Sequence, residues 1–215
     1  MKLKELLESA IKPTSKQVAS ALAYVKQYVP YHGVRHASAT MAKNVTDPDV
    51  VERLKYCYQL LRAADPTLGI SSIPVQFLTY DMCVQDVKKA WQMFEYVPYK
   101  FITQEICELA IEGNGSALSW VPDNFQTPEM VERAVEEDPS VIQDVKPSLV
   151  TRDLCLLAVE RNGLVLEFIP DRYKEDPEIC VQAVLCDRSA MSHVPYLMRN
   201  EVSHLVKQHQ QTYSG

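Results

Sequence analysis

The sequence lacks several features that would assign it to a membrane or to a familiar enzyme class. No apolar run approaches the roughly 18 residues of a membrane-spanning helix. The start, MKLKELLESAIK, places Glu5 and Glu8 where a secretion signal needs an apolar core. A P-loop, a nucleophile elbow, a glycine-rich dinucleotide turn and an HExxH motif are also missing. We therefore expect a cytoplasmic protein with no membrane contact, and we expect no enzyme of these classes.

What the sequence does contain is one 24-residue pattern that is repeated five times between residues 79 and 200. A side chain able to cap a helix recurs at intervals of 24, 24, 24 and 25 residues, and an acid follows two positions later each time. The capping residues are Thr79, Thr103, Thr127, Thr151 and Asp176. Self-similarity at this period is typical of stacked helical repeats.

Each repeat predicts a first helix with a buried stripe, because apolar residues stand four, seven and eight positions after the cap. The stripe begins at Cys83, Cys107, Val131, Cys155 and Cys180. An alanine follows in the last four repeats, whereas the first repeat has Asp86 in that position. A second, shorter apolar set leaves room for another helix of about two turns at 3.6 residues each.

Proline closes most repeats, and Lys146 takes the closing position in the one exception among the five. Three residues beyond each closing position stands a large apolar anchor. These anchors, beginning with that of a divergent preceding unit, are Phe77, Phe101, Phe125, Leu149, Tyr173 and Met198. A unit this short cannot bury its apolar face alone, so we expect neighbouring units to stack.

The patterns together predict an all-α fold, namely an α-solenoid of five to six two-helix repeats of roughly 24 residues with an N-terminal helical cap. Residues 1–45 would form the cap and residues 46–78 the divergent repeat, whose helix Thr46 or Asp47 would cap. Residues 79–200 would form the regular repeats, and residues 201–215 a capping helix with a frayed tail.

Four of the six cysteines recur at one buried helix position, which favours small buried hydrophobes in a reducing cytosol over disulfides. Thiols in neighbouring helices would lie about 10 Å apart, which is too far for a disulfide. Cys57 and Cys186 fall outside this position and are the better candidates for a reactive thiol.

The segments NGLVLEFIPDRYKEDPEICVQAV and NGSALSWVPDNFQTPEMVERAV resemble a bacterial short helical repeat family of unknown function, domain of unknown function 4116. The resemblance spans about residues 79–200 and implies a helical solenoid of bacterial or phage origin. It carries no catalytic residue across, because the family has no assigned activity. Asp86, Trp91 and Pro147 depart from its pattern. Leucine-rich-variant repeats share the repeat length and remain the architectural alternative.

Two sets of positions are candidates for partner binding. The residue before each closing valine or isoleucine should lie at the margin of the buried stripe, and aromatic residues at such a surface commonly anchor partners. With two neighbouring tyrosines, this set is Tyr96, Tyr99, Trp120, Phe168, His193 and Tyr196. The second set is Glu112, Glu136 and Glu160, extended by Glu137 and Asp138, and it would suit a basic partner. Packing between helices and a solvated face are the respective alternatives.

Two other functions stay open. Residues 1–50 hold seven Lys or Arg against four Asp or Glu, so a second hypothesis is nucleic-acid association through this basic start. The acidic later half speaks against a long nucleic-acid groove. The basic residues are Lys2, Lys4, Lys12, Lys16, Lys26, Arg35 and Lys43. A third hypothesis is an enzyme of unrecognised type around His32, His36 or Cys186.

The favoured interpretation is a non-enzymatic protein-binding helical-repeat module, acting as an adaptor or inhibitor through its aromatic and acidic face. We expect no metal and no cofactor, because His32 and His36 have helical i, i+4 spacing but no third ligand nearby. The sequence predicts neither the identity of the partner nor the oligomeric state.

Overall fold

The structure is a computed structural model that describes residues 13–29 and 45–212. Every regular element in these residues is a helix, and they contain no strand. The all-α prediction is therefore confirmed for this part of the chain. No helix in these ranges is both long and apolar enough to cross a membrane. The predicted opening helix, the loop predicted to begin at His32 and the end of the tail lie outside the described residues.

The chain divides into two compact units, Met1–Ile102 and Thr103–Gly215. The first unit contains helices α1 (Ser15–Tyr28), α2 (Pro48–Ala64) and α3 (Tyr80–Lys89). Its described residues also form four short 3-10 helices, Ile70–Ser72, Val75–Phe77, Trp91–Tyr96 and Tyr99–Phe101. Helix α1 packs against α2, and α3 packs against Trp91–Tyr96. Asp47 caps α2, and Pro48 takes its first position, as the sequence predicted.

The second unit alternates α-helices with 3-10 helices. Its α-helices are α4 (Gln104–Gly113), α5 (Pro128–Glu137), α6 (Arg152–Arg161), α7 (Asp171–Lys174), α8 (Pro177–Cys186) and α9 (Arg199–Thr212). The 3-10 helices are Gly115–Trp120, Pro139–Asp144, Gly163–Glu167, Arg188–His193 and Tyr196–Met198. Each of the first three packs against the repeat α-helix before it, the repeat α-helix after it and the next 3-10 helix.

The predicted helix starts are confirmed by the capping hydrogen bonds. In four repeats the threonine side chain accepts a hydrogen bond from the backbone N–H three residues later, at 3.2–3.4 Å. In the fifth, the Asp176 side chain accepts from the N–H of Glu178 at 2.9 Å. An oxygen-bearing cap satisfies one of the N–H groups that have no partner inside the helix. The cap therefore fixes where each repeat α-helix begins.

The predicted buried row is also confirmed. Cys83, Cys107, Cys155 and Cys180 are fully buried. The alanines three positions later in α4, α5, α6 and α8 are buried as well, and on α5 and α8 the backbone of the preceding 3-10 helix approaches them closely. A Cβ atom on Gly115 would lie 2.7 Å from the carbonyl oxygen of Ala134, closer than real Cβ contacts allow. Small residues on both sides thus make this close approach possible.

The second helix of each repeat differs from the prediction. It is a 3-10 helix of five or six residues in place of a helix with 3.6 residues per turn. The space between the end of one α-helix and the closing residue is short, and a 3-10 helix makes two turns in six residues. The segment that follows each 3-10 helix is held by the same backbone hydrogen bond in all of these repeats. The anchor N–H donates to the carbonyl of the closing residue at 2.8–2.9 Å, both at the prolines and at Lys146.

Candidate protein-binding surface

Three predicted contact residues of the second unit occupy equivalent positions and form what we call the aromatic edge, namely Trp120, Phe168 and His193. Trp120 ends the 3-10 helix Gly115–Trp120, Phe168 directly follows Gly163–Glu167, and His193 ends Arg188–His193. These 3-10 helices belong to one packed series, in which Pro139–Asp144 lies between the first two. The equivalent positions therefore follow one another along the series, and Asp144 is the polar member among them.

The side chains of the aromatic edge differ in exposure. Trp120 is 43% exposed and Phe168 is 40% exposed, whereas His193 is half-buried. Tyr196 lies beyond the edge at the start of Tyr196–Met198 and is 83% exposed. Large aromatic rings in water are candidates for contacts that bury them on binding. Trp120, Phe168 and Tyr196 are the strongest of these candidates in the second unit.

The remaining two aromatic candidates, Tyr96 and Tyr99, belong to the first unit. Tyr96 ends the 3-10 helix Trp91–Tyr96, and Tyr99 begins Tyr99–Phe101. Both side chains are exposed, as is that of Val75, which directly follows the closing proline of the divergent unit. The first unit thus has exposed apolar side chains of its own.

The acidic candidates stand at one position of three successive α-helices. Glu112 lies on α4, Glu136 on α5 and Glu160 on α6, and all three side chains are exposed. Within the described part of the chain, none of the three takes part in an ion pair. Glu136 also follows the exposed Glu132 by one turn, and like charges at this spacing weaken a helix slightly. The acidic surface is thus not neutralised by neighbouring cations.

Glu137 and Asp138, predicted as extensions of this acidic set, are engaged in contacts between repeats. The Glu137 carboxylate accepts from the Asn114 side chain at 3.0 Å and from the Gly115 N–H at 2.8 Å. Asp138 accepts from the Ser116 hydroxyl at 2.7 Å and caps Pro139–Asp144. Partial burial raises the pKa of Asp138, but hydrogen bonds from Ser140 and Ser116 outweigh it and hold the pKa below its ordinary value. Both carboxylates therefore link successive repeats.

A buried glutamine explains the exception at the closing position. The Gln126 side chain donates to the carbonyls of Val121 and Asp144 at 3.2 and 2.9 Å. Its own oxygen accepts from the backbone N–H of Lys146 at 2.7 Å. A proline at this position would have no N–H to donate. Lys146 thus supplies a hydrogen bond that the prolines of the other repeats cannot make.

The two cysteines singled out as reactive differ in their surroundings. Cys57 is buried on α2, and burial raises the pKa of its thiol, which makes it a poorer candidate for a reactive thiol than its place outside the repeat position suggested. Cys186, the last residue of α8, is exposed. The four cysteines of the repeat position have thiol pKa values raised to about 11 or 12, again chiefly by burial. Of the cysteines, only Cys186 remains a candidate for surface chemistry.

The other proposed sites fall largely outside the described residues. His32 and His36 do so, and so do all of the predicted basic residues except Lys16 and Lys26, which are exposed on α1. In residues 13–29 and 45–212 there is no group of three or more His, Cys, Asp or Glu side chains that could hold a metal ion.

In the second unit, two exposed apolar residues were missed by the sequence interpretation. Leu197 is 91% exposed and lies beside Tyr196, and Leu164 is exposed at the start of Gly163–Glu167. Leu197 lies between the closing proline and the anchor, where the residues of the other repeats, such as Tyr99 and Asp171, are also exposed. Its place in this stretch could have predicted its exposure. Leu197 and Tyr196 together form the most exposed apolar pair among the described residues.

In a comparison with known proteins, residues 151–199 match a protein family. No curated protein and no solved structure matches the chain. The matched segment begins with the cap of α6 and ends at the first residue of α9, so it covers one complete repeat and most of the next. It agrees with part of the span over which the sequence resembles the 4116 repeats. Residues 151–199 match a family described as Domain of unknown function (DUF4116).

Proposed function

We propose that the chain is a non-enzymatic protein-binding module, an adaptor or inhibitor, whose repeats form an α-solenoid and act in the cytoplasm. The observation that carries the proposal is the contrast between two kinds of repeat position. Buried positions hold small or apolar residues in every repeat, apart from Asp86 and Gln126, whereas exposed positions carry tryptophan, phenylalanine, tyrosine or glutamate. Repeat scaffolds of this kind commonly use their variable surface for recognition.

The aromatic edge supports this function because a partner that buries its exposed rings would gain free energy. Burying a large apolar side chain is worth about 1.5–3 kcal/mol, and Trp120 and Phe168 leave part of their surface in water. A partner that covers both rings would recover this free energy on binding. Tryptophan and tyrosine are also the residue types that most often dominate binding energy at interfaces.

The acidic side chains support a partner with a basic surface. Glu112, Glu136 and Glu160 project from three successive helices that pack side by side or through the 3-10 helices between them. Charges of one sign raise the rate of encounter with an oppositely charged partner, and salt screens the effect over about 8 Å at physiological ionic strength. We therefore expect association to slow as salt is raised.

The test is recovery of a partner by the full chain and its loss in matched variants. Purified chain, cross-linked in a lysate of its source cells and analysed by mass spectrometry, should enrich a protein with a basic surface. Trp120→Ala with Phe168→Ala should reduce recovery at least about tenfold. Glu112→Gln, Glu136→Gln and Glu160→Gln together should reduce the association rate and its salt dependence.

Gln143→Ala provides the control, because Gln143 is exposed on the same series of 3-10 helices and belongs to neither set. It should bind as the unaltered chain does. Recovery of no protein above background, or recovery of nucleic acid alone, would contradict the proposed function. Catalytic turnover in an activity screen would contradict its non-enzymatic part.

A further inference from the structure

In α4, α5 and α6 the first residue of the helix determines whether a side chain bridges the junction to the next repeat α-helix. Gln104 begins α4, and its amide lies 3.2 Å from a Glu108 carboxylate oxygen and 3.7 Å from the Met130 sulfur on α5. Arg152 begins α6, and its Nε donates to Asp176 at 2.6 Å while a terminal nitrogen bonds Glu178 on α8. Long polar side chains thus span the α4–α5 and α6–α8 junctions.

The α5–α6 junction lacks such a bridge. Its first residue is Pro128, whose ring is too short to reach α6. The anchor of this junction is Leu149, whereas the bridged junctions have the larger Phe125 and Tyr173. A groove of about 330 Å³ remains between the two helices. It is lined by Pro128, Val131, Glu132, Leu149, Thr151, Asp153, Leu154 and Leu157.

The walls of this groove are apolar and its margin is acidic. Val131 and Leu154 are buried, and the half-buried Leu149 and Leu157 add side-chain surface. The exposed carboxylates of Glu132 and Asp153 come from opposite sides of the groove, one from α5 and one from α6. In the described residues neither carboxylate forms an ion pair.

Arg152, the cation next to Asp153 in the sequence, is directed away from the groove. Arg152 is held by Asp176 and Glu178 at the following junction. Those bonds outweigh the effect of burial and hold the pKa of Asp176 below its ordinary value, so the pair is ionised at neutral pH. The groove therefore has an apolar floor beside two carboxylates that form no ion pair in the described residues. Its volume falls in the range of pockets that bind small ligands or single side chains.

We propose that the groove between α5 and α6 binds a short segment of a partner protein that carries a Leu, Ile or Met side chain next to Lys or Arg. The apolar side chain packs on Val131, Leu149 and Leu157. The cationic side chain binds between Glu132 and Asp153, where opposite charge selects for it. The proposal rests on the proposed function and specifies the chemistry of the partner.

The experiment is a selection from a displayed library of random eight-residue peptides against the full chain. Two filling variants serve for counter-selection. Pro128→Gln installs the residue that bridges the α4–α5 junction, and Leu149→Phe installs the anchor of that junction. Because both residues already occur at equivalent positions of a neighbouring repeat, each variant is expected to fold, and circular dichroism with thermal melting checks this.

We expect peptides that pair Lys or Arg with Leu, Ile or Met. Fluorescence anisotropy should show at least about tenfold weaker binding to each filling variant, because the apolar contact is lost. Glu132→Gln with Asp153→Asn should weaken binding about three- to tenfold and flatten its salt dependence. Gln143→Ala should bind each peptide unchanged.

Other outcomes would overturn the groove assignment. They are the absence of enriched peptides, enrichment of acidic peptides, and binding that neither filling variant weakens. Concentration-dependent self-association that Pro128→Gln abolishes would assign the groove to a second copy of the chain. Peptides lost only in Trp120→Ala or Phe168→Ala would refute the groove while leaving the proposed protein-binding function in place, so the two failures are distinguishable.

Discussion

The same core position holds a charge in α3 and an alanine in α4, α5, α6 and α8. In the four later helices the alanine is fully buried, and on α5 and α8 it leaves room for the backbone of the preceding 3-10 helix. In α3 the position holds Asp86, which is also buried. Its carboxylate binds both terminal nitrogens of Arg62 and accepts from the Ile70 N–H at 2.7 Å. The segment before α3 therefore supplies every partner that this charge needs.

The comparison shows that this core position requires a small apolar residue only where its neighbours are regular repeats. Beside the divergent unit it can hold a charge. Arg62 belongs to α2 of the divergent unit, and it also donates to the Leu68 carbonyl at 3.2 Å. Its side chain is 8% exposed and that of Asp86 is 6% exposed. Such a pair offsets the cost of removing both charges from water only while both partners are present. Four experiments, taken from the largest expected effect to the smallest, can break or sharpen this comparison.

Asp86→Ala should have the largest effect, although it restores the residue of the regular repeats. It leaves the Arg62 guanidinium buried without its carboxylate and the Ile70 N–H without an acceptor. We expect a loss of about 3–5 kcal/mol in the free energy of unfolding, measured by urea denaturation of the full chain.

The double variant Arg62→Met with Asp86→Ala is the matched control. It removes both charges and should recover most of the loss, because an apolar pair of similar volume avoids the cost of burying a charge. If Asp86→Ala alone cost less than about 1 kcal/mol, the ion pair would not be what stabilises α3.

Gly163→Ala should have the next largest effect. It tests the close contact that a buried alanine of a regular repeat, Ala183, makes with the neighbouring 3-10 helix. A Cβ atom at Gly163 would overlap the carbonyl oxygen of Ala183 and lie 2.9 Å from the Asp187 nitrogen. Both contacts are with backbone, so relief requires that α8 move. We expect a loss of about 1–3 kcal/mol in the free energy of unfolding by the same assay.

Gly69→Ala is the control for this substitution, because the nearest atom to its added Cβ would be 3.5 Å away, an ordinary contact. It should change the free energy of unfolding by less than about 0.5 kcal/mol. Equal losses at Gly163 and Gly69 would show that the close approach of the 3-10 helix to Ala183 is not the cause.

Ala90→Asn should have a smaller effect of the opposite sign. In the four later repeats an Asn or Asp side chain caps the 3-10 helix, as Asn162 does by accepting from the Leu164 N–H at 3.1 Å. Ala90 has nearly the same backbone angles as Asn162 but no side-chain oxygen. We expect Ala90→Asn to add about 1 kcal/mol and Asn162→Ala to remove a similar amount. No gain from Ala90→Asn together with no loss from Asn162→Ala would mean that these caps contribute nothing to stability.

The helix starts and the buried row could be predicted from the sequence because each depends on residues within one repeat. A threonine cap and an apolar stripe at 3.6-residue spacing act locally. The contacts that escaped prediction join residues from different repeats. Examples are Arg62 with Asp86, Gln126 with the Lys146 N–H, and Glu137 with the Gly115 N–H.

The groove escaped prediction for the same reason. A proline at the first helical position is favourable within its own helix, so Pro128 read alone indicates only a good helix start. Its consequence is the absence of a bridge to α6, which becomes visible when Gln104 and Arg152 are seen to reach the next helix. The exposure of Trp120 was predicted from its place at the margin of the stripe, but the half-burial of His193 was not.

The cysteines provide the smallest expected difference between α3 and the regular helices. Burial raises the pKa of Cys83 to about 11 and that of Cys107 to about 12, so at pH 8 only about one Cys83 thiol in a thousand is ionised. If the core around α3 excludes water as well as the core around the later helices does, despite the buried Asp86, Cys83 should react slowly with a disulfide reagent. Its rate should match those of Cys107, Cys155 and Cys180. We expect one fast thiol in the folded chain, removed by Cys186→Ser, and all six only in denaturant. A second fast thiol that mass spectrometry assigns to Cys83 would mean that the buried charge admits water to α3, and the two kinds of core position would then differ in access as well as in chemistry.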